Sequence, residues 1–130
     1  MNILIADDHV LVRLGLREIL AEALPDALFF EAGNGDEVLA QLAGSEFSAL
    51  LLDINMPGRS GLDVLVDVKR SYARLPVIMV SVHPEEQYAS SCLRAGAAAY
   101  ICKDCASEEL ARATMNILSS GSCVNGLQAD

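Results

Sequence analysis

The 130-residue chain holds 18 acidic against nine basic side chains, a formal net charge of −9, and is 52% hydrophobic. That length predicts one domain with a core large enough to need no disulfide or metal support, while the acid excess argues against nucleic-acid binding by this chain, because phosphate backbones are held mainly by Lys and Arg and no basic residue follows Arg112. No apolar stretch approaches the roughly 18 residues of a bilayer span and no export leader precedes Asn2, so a cytoplasmic location is expected, with Cys92, Cys102, Cys105 and Cys123 unlinked.

Short apolar runs alternate five times with longer amphipathic segments. The first run, Ile3 to Ala6, leads into a helix over Val10 to Ala23 in which Val12, Leu16, Ile19, Leu20 and Ala23 share a face, and Pro25 ends it. Leu28 to Ala32 reads as the second strand. Gly35 to Ala43 follows as a short helix with Val38, Leu39 and Leu42 inward, stopped by Gly44-Ser45. The third strand, from Ala49, ends at Asp53. Asn55 to Gly61 is turn chemistry: Pro57 fixes φ and the glycines permit positive φ. A third helix is expected from about Leu62 to Ser71, and Pro76 opens the fourth strand, Val77 to Val80. Pro84 suits the first position of the next helix, which closes at Gly96. Tyr100 to Cys102 forms the fifth strand. The last helix spans Ser107 to Ser120, with Leu110, Ala113, Thr114 and Ile117 on its inner face, and Ser119 to Ser122 resembles the start of a linker.

Strand-sized runs this apolar belong to a parallel sheet buried on both faces. Right-handed crossovers then give an α/β, (βα)5 architecture with helices on both sides of the sheet and strand order 2-1-3-4-5. Ligand sites in such folds form beyond the carboxyl ends of the strands, at the switch point between strands one and three. Asp7 and Asp8, Asp53, Ser81 and Lys103 each follow an apolar run and can meet there.

Each of these residues also has a plainer reading. Adjacent side chains on a strand point to opposite faces, so Asp7 and Asp8 share a site only if the chain is already turning; otherwise Asp8 simply caps the first helix. Lys103 alone reads as a solvated stem, and Ser81 as a local hydrogen-bond donor. Together they make a phosphoryl site. Three neighbouring carboxylates repel one another unless a cation intervenes, and an all-oxygen set favours Mg²⁺ over Zn²⁺. An ammonium and a hydroxyl then answer the remaining phosphoryl oxygens.

The segments Ile3-Leu4-Ile5-Ala6-Asp7-Asp8-His9, Leu51-Leu52-Asp53-Ile54-Asn55-Met56-Pro57-Gly58, Val80-Ser81 and Ala95 to Lys103 closely resemble, in order and spacing, the receiver domain of two-component response regulators. Asp8 to Leu16, with Lys103-Asp104, is similar to the subfamily whose receivers precede a LuxR/NarL-type helix-turn-helix. The resemblance implies a flavodoxin-like fold and a bacterial cytoplasmic switch, not an enzyme acting on other substrates. It implies that Asp53 accepts a phosphoryl group from a sensor histidine kinase, that Asp7, Asp8, Asp53 and the Asn55 carbonyl hold Mg²⁺, and that Lys103 and Ser81 contact the phosphoryl group. Tyr100 takes the family's aromatic switch position and turns inward when the Ser81 loop moves; its bland alternative is a half-buried strand aromatic.

Two positions depart from the pattern: Asp104 stands where most receivers carry Pro, and Val82 where a small residue is common. His83 and the Asn55 side chain flank the expected path of the hydrolytic water, or else His83 only caps the helix at Pro84. Cys102 and Cys105 form a lone C-x-x-C, read as structural rather than zinc-binding or redox-active. Val10, Leu14, Met115 and Leu118 are candidate contacts for a homodimer through the first and last helices, with the face of helix four, strand five and helix five as the other candidate. The expected division is a receiver over residues 1–120 and a linker over 121–130, leading to an effector domain, although a single-domain regulator fits as well. A flavodoxin-like electron carrier is disfavoured because Asp7-Asp8 repels a flavin phosphate. A haloacid-dehalogenase-type phosphatase carries D-x-D instead, and a pseudo-receiver lacks one of the positions present here.

Overall fold

The computed structural model of the chain describes residues 1–81, 85–103 and 107–120. Expectations resting on Val82, His83, Pro84, Asp104, Cys105 and residues 121–130, Cys123 and the linker among them, lie outside these. The elements in chain order are β1 (Asn2–Ala6), α1 (Val10–Ala23), β2 (Leu28–Ala32), α2 (Gly35–Gly44), β3 (Ala49–Asp53), α3 (Gly61–Ser71), β4 (Val77–Ser81), α4 (Glu85–Arg94), β5 (Ala99–Cys102) and α5 (Ser107–Ser120). All strand pairings are parallel and the order is β2-β1-β3-β4-β5, as the alternation requires. None of the described helices is long and apolar enough to cross a membrane.

Strand parity divides the core into two layers. Leu4, Leu50, Leu52, Val77 and Met79 face Val38, Leu42, Val64, Leu65, Val68 and Cys92 from α2, α3 and α4. Ile3, Ile5, Leu51, Ile78, Val80 and Ile101 face Leu16, Leu20, Leu110 and Ile117 from α1 and α5. The helical stripes expected from periodicity face the core, with Leu16, Leu20, Val38, Leu42, Leu110, Thr114 and Ile117 buried and Val12, Ile19, Leu39 and Ala113 partly so. Thr114, wholly buried on α5, satisfies its hydroxyl by donating to the Leu110 carbonyl at 2.9 Å.

Local chemistry sets the helix ends. Asn34 caps α2 by accepting the Glu37 N–H at 2.9 Å, and Ser60 caps α3 by accepting from Asp63 at 3.2 Å. The α4 end is a Schellman closure: Gly96 at φ 111° donates to the Leu93 carbonyl and Ala97 to the Cys92 carbonyl. The Lys69 stem lies against Gly96, and its ammonium donates to the Ala73 and Leu75 carbonyls, both at 2.8 Å, so the ends of α3 and α4 are riveted together. The edge strand β2 is tied to α1 by Glu31, whose two oxygens take Arg13 Nε at 2.8 Å and Arg17 at 3.0 Å.

One expectation about glycine is corrected. Gly58 does take positive φ, 81°. Gly61 does not; it opens α3, and a Cβ there would lie 2.0 Å from the Asp53 carbonyl oxygen and 2.7 Å from Ile54 Cα. Glycine is needed for close approach, not for handedness.

Gly61→Ala is therefore expected to cost at least about 2 kcal/mol in urea unfolding. Gly15→Ala in α1, where a Cβ would meet nothing within 4 Å, should instead stabilise by about 0.5–1 kcal/mol. The Arg13 and Arg17 bonds hold the Glu31 carboxyl below its ordinary pKa, so its contribution is present above that ordinary value and lost as pH falls through the depressed one. Glu31→Gln should thus lower the urea midpoint near neutral pH by the equivalent of about 0.5–1 kcal/mol, with the gap to wild type closing in acid.

Candidate functional site

The register aligns the last paired residues of the central strands: Ala6 beside Leu52, Asp53 beside Val80, Ser81 beside Cys102. The next residues therefore emerge together at the carboxyl edge of the sheet. Asp7 and Ser81 are wholly buried and Asp53 is 3% exposed. Lys103 reaches across from the end of β5, its ammonium 2.5 Å from Asp7 Oδ2 and 3.3 Å from Asp53 Oδ1. Its backbone N–H donates to the Ser81 carbonyl at 2.6 Å, which aims the side chain inward.

Asp7 is held at every polar atom. Its N–H donates to the Ala32 carbonyl at 3.0 Å, and its carbonyl accepts from Arg13. Oδ1 accepts the His9 N–H at 2.9 Å, an Asx-type turn that bends the chain at the strand end. Adjacent Asp7 and Asp8 thereby serve one region: His9 Nδ1 lies 3.3 Å from Asp7 Oδ1 and 3.0 Å from Asp8 Oδ1. Asp8 does not cap α1; His9 occupies the N-cap position and makes no side-chain capping bond.

Burial pushes the Asp53 carboxyl above the ordinary aspartate range; Lys103 opposes this, the Asp7 charge adds to it, and a hydrogen bond from the Asn55 backbone lowers it slightly. Three carboxyl groups face one ammonium, an acid excess of the kind that a divalent cation offsets. The donor oxygens of Asp7 and Asp8 and a His9 nitrogen lie within 4.8 Å of one another, and Asp53 joins them through the shared Lys103. The residues present therefore fit a hard cation bound by oxygen. The turn after Asp53 is fixed by the Gly61 N–H to the Ile54 carbonyl, 2.6 Å, and by Arg59 on Asp67.

Tyr100 is 8% exposed and packs with the α2, α3 and α4 layer. Burial raises its phenol, against a side-chain hydrogen bond with Ser81. The ring is already inside in this structure, whereas the sequence pattern led to an expectation of inward turning as a later event. Cys92 is buried, its thiol pushed up by desolvation, and Cys92 and Cys102 are both free. The sequence assigns no role of their own to His9, Arg13 or Glu31 and reads Gly61 only as a turn glycine. Only Glu31, a charge inside an apolar strand, carried a visible signal.

Residues 3–115 match the model of the response regulator receiver domain. The response regulator UvrY of Escherichia coli K12 is 34% identical over 119 residues, 92% of this chain and 55% of UvrY. This chain spans about half the length of the curated relatives it matches. Among solved structures, a CheY-like receiver domain protein from Methanospirillum hungatei JF-1 superposes with a TM-score of 0.84 at 26% identity, covering 92% of this chain and 94% of that one. A LuxR-family two-component response regulator from Aurantimonas sp. SI85-9A1 gives 0.85 at 25% identity, covering 92% and 85%. The flavodoxin-like sheet order, the carboxyl-edge cluster and these matches agree: the chain belongs to the response regulator receiver domain family.

Proposed function

We propose that the chain is a phosphorylation-activated signalling switch in which Asp53 takes a phosphoryl group from a sensor histidine kinase. The observation that carries this reading is the Lys103 ammonium set between two buried carboxylates, 2.5 Å from Asp7 and 3.3 Å from Asp53. An Asp53 oxygen forms the new O–P bond while the P–N bond to the kinase histidine breaks and its electrons return to the imidazole. Asp7, Asp8, Asp53 and the Asn55 carbonyl would hold Mg²⁺, which supplies positive charge for the phosphoryl oxygens. Lys103 opposes the pull of burial on Asp53 and pairs with the incoming charge. The chain acts only on itself, promoting its own phosphorylation and dephosphorylation.

A serine hydroxyl has one proton to donate and two lone pairs to accept with. Turning the Ser81 proton to a phosphoryl oxygen would reverse its bond with the Tyr100 phenol from donor to acceptor, which couples Asp53 to the α4–β5–α5 surface. Charge-assisted hydrogen bonds contribute roughly 1.5–3 kcal/mol each, and inverting a two-state population takes about 5.5 kcal/mol. Two or three new bonds from Lys103 and Ser81 reach that scale.

Residues 1–120 form the receiver and 121–130 begin a linker to a helix-turn-helix effector domain in a bacterial transcription regulator of the cytoplasm; this rests on the sequence resemblance, and the 55% of UvrY that this chain covers leaves room there for a further domain. DNA contact belongs to that domain, given the −9 charge of this chain. Val10, Leu11 and Leu14 on α1 are 57%, 82% and 44% exposed, and Met115 on the neighbouring α5 is 43% exposed. These residues are the favoured homodimer face, because four exposed apolar side chains lie on two packed helices; Leu118 is half-buried and contributes less.

Intact mass after incubation with Mg²⁺ and acetyl phosphate should show one added phosphoryl group in wild type and none in Asp53→Asn. No gain in either would replace this reading with a phosphorylation-independent interaction module. Sedimentation of the phosphorylated chain should show a dimer that Leu14→Asp weakens at least about tenfold, the scale of one lost apolar anchor; an unchanged constant would move the contact to the other face.

A further inference from the structure

We infer that Arg13, oriented by Glu31, is a positioning residue that sets the Asp8 carboxylate through the Asp7–Asp8 peptide plane. The inference rests on the metal-holding role proposed for Asp7 and Asp8.

The Asp8 side chain is one-third exposed, and among the described residues the contact that reaches it is the His9 ring, itself 67% exposed. Its direction is therefore set by the backbone. A peptide unit is planar, so an atom that fixes the Asp7 carbonyl also fixes the Asp8 N–H and the line along which Asp8 Cα leaves. Arg13 donates to that carbonyl. The same guanidinium donates through Nε to Glu31 Oε1 at 2.8 Å, and both side chains are largely covered, at 15% and 25% exposure. A planar fork held on one side by a carboxylate presents its other N–H at a fixed angle. Asp7 is locked independently by Ala32, His9 and Lys103. Loss of Arg13 thus leaves Asp7 in place and releases Asp8.

Arg17 supplies an internal control. It bonds the other Glu31 oxygen at 3.0 Å, is 45% exposed, and among the described contacts makes none to Asp7. Removing it deletes one positive charge from the same network without freeing the Asp7 carbonyl.

Isothermal titration of the unphosphorylated full chain with Mg²⁺ tests the inference. Arg13→Gln should raise the dissociation constant about tenfold, the lower end of the effect of losing a support behind a metal ligand. Arg13→Lys, which can still donate to the carbonyl but lacks the fork, should recover part of that loss. Glu31→Gln should shift in the same direction by less, and Arg17→Gln should match wild type. Circular dichroism and the urea midpoint verify folding. A folded Arg13→Gln that binds Mg²⁺ as wild type does, or an Arg17→Gln weakened equally, would overturn the positioning role. Wild type that binds no Mg²⁺ would overturn the metal-holding reading itself, and the inference with it.

Discussion

Two carboxylates buried within reach of one ammonium are the constraint around which the molecule is arranged. Asp53 is withdrawn from water, which penalises its charged form, and Lys103, shared with the buried Asp7, offsets only part of that penalty. The residue left over is an electrostatic deficit held in a fixed place. A parallel sheet with both faces covered is well suited to hold it, because only the strand ends expose polar groups. Everything nearby serves to keep these groups from relaxing: the Asx-type turn at Asp7, the glycine pressed against Asp53 and the Ser81 carbonyl that fixes Lys103.

The sheet and the site are therefore not separable designs. The alternation that sends Leu50 and Leu52 to one layer and Leu51 to the other also fixes the direction in which Asp53 leaves β3. A one-residue slip of β3 that moved Asp53 to the place of Leu52 would bury a charge in a hydrophobic layer and put Ile54 at the site instead. Hydrophobic packing and site geometry thus select the same register, and each reinforces the other.

The sequence disclosed those features that depend on period and polarity. Strand runs, helical stripes and the placing of Asp7, Asp53, Ser81 and Lys103 at run ends were legible because each is a one-dimensional pattern. Features that depend on approach between distant segments were not. Gly61 looked like one more turn glycine, since nothing local records that the Asp53 carbonyl lies against it. Arg13 and Glu31 are 18 positions apart and on different kinds of element, so their pairing needed the sheet to be assembled first. Tyr100 carried its position in the sequence but not its rotamer, which the Ser81 hydroxyl and the surrounding apolar layer decide together.

The rivet between Lys69 and Gly96 bears on how α4 can respond. The helix is clamped at its C-terminal closure, while its first residue lies only four positions beyond Ser81 in the chain. Ten residues of α-helix make a rod about 15 Å long. Held at one end, such a rod would swing more readily than slide, with displacement growing linearly along it towards the carboxyl edge of the sheet. A tilt of about 10° at the pivot carries the far tip through roughly 2.5 Å, by the helix rise alone. A helix pivoting there would act as a lever whose fulcrum is a lysine stem against a glycine, at the opposite edge of the sheet from Asp53.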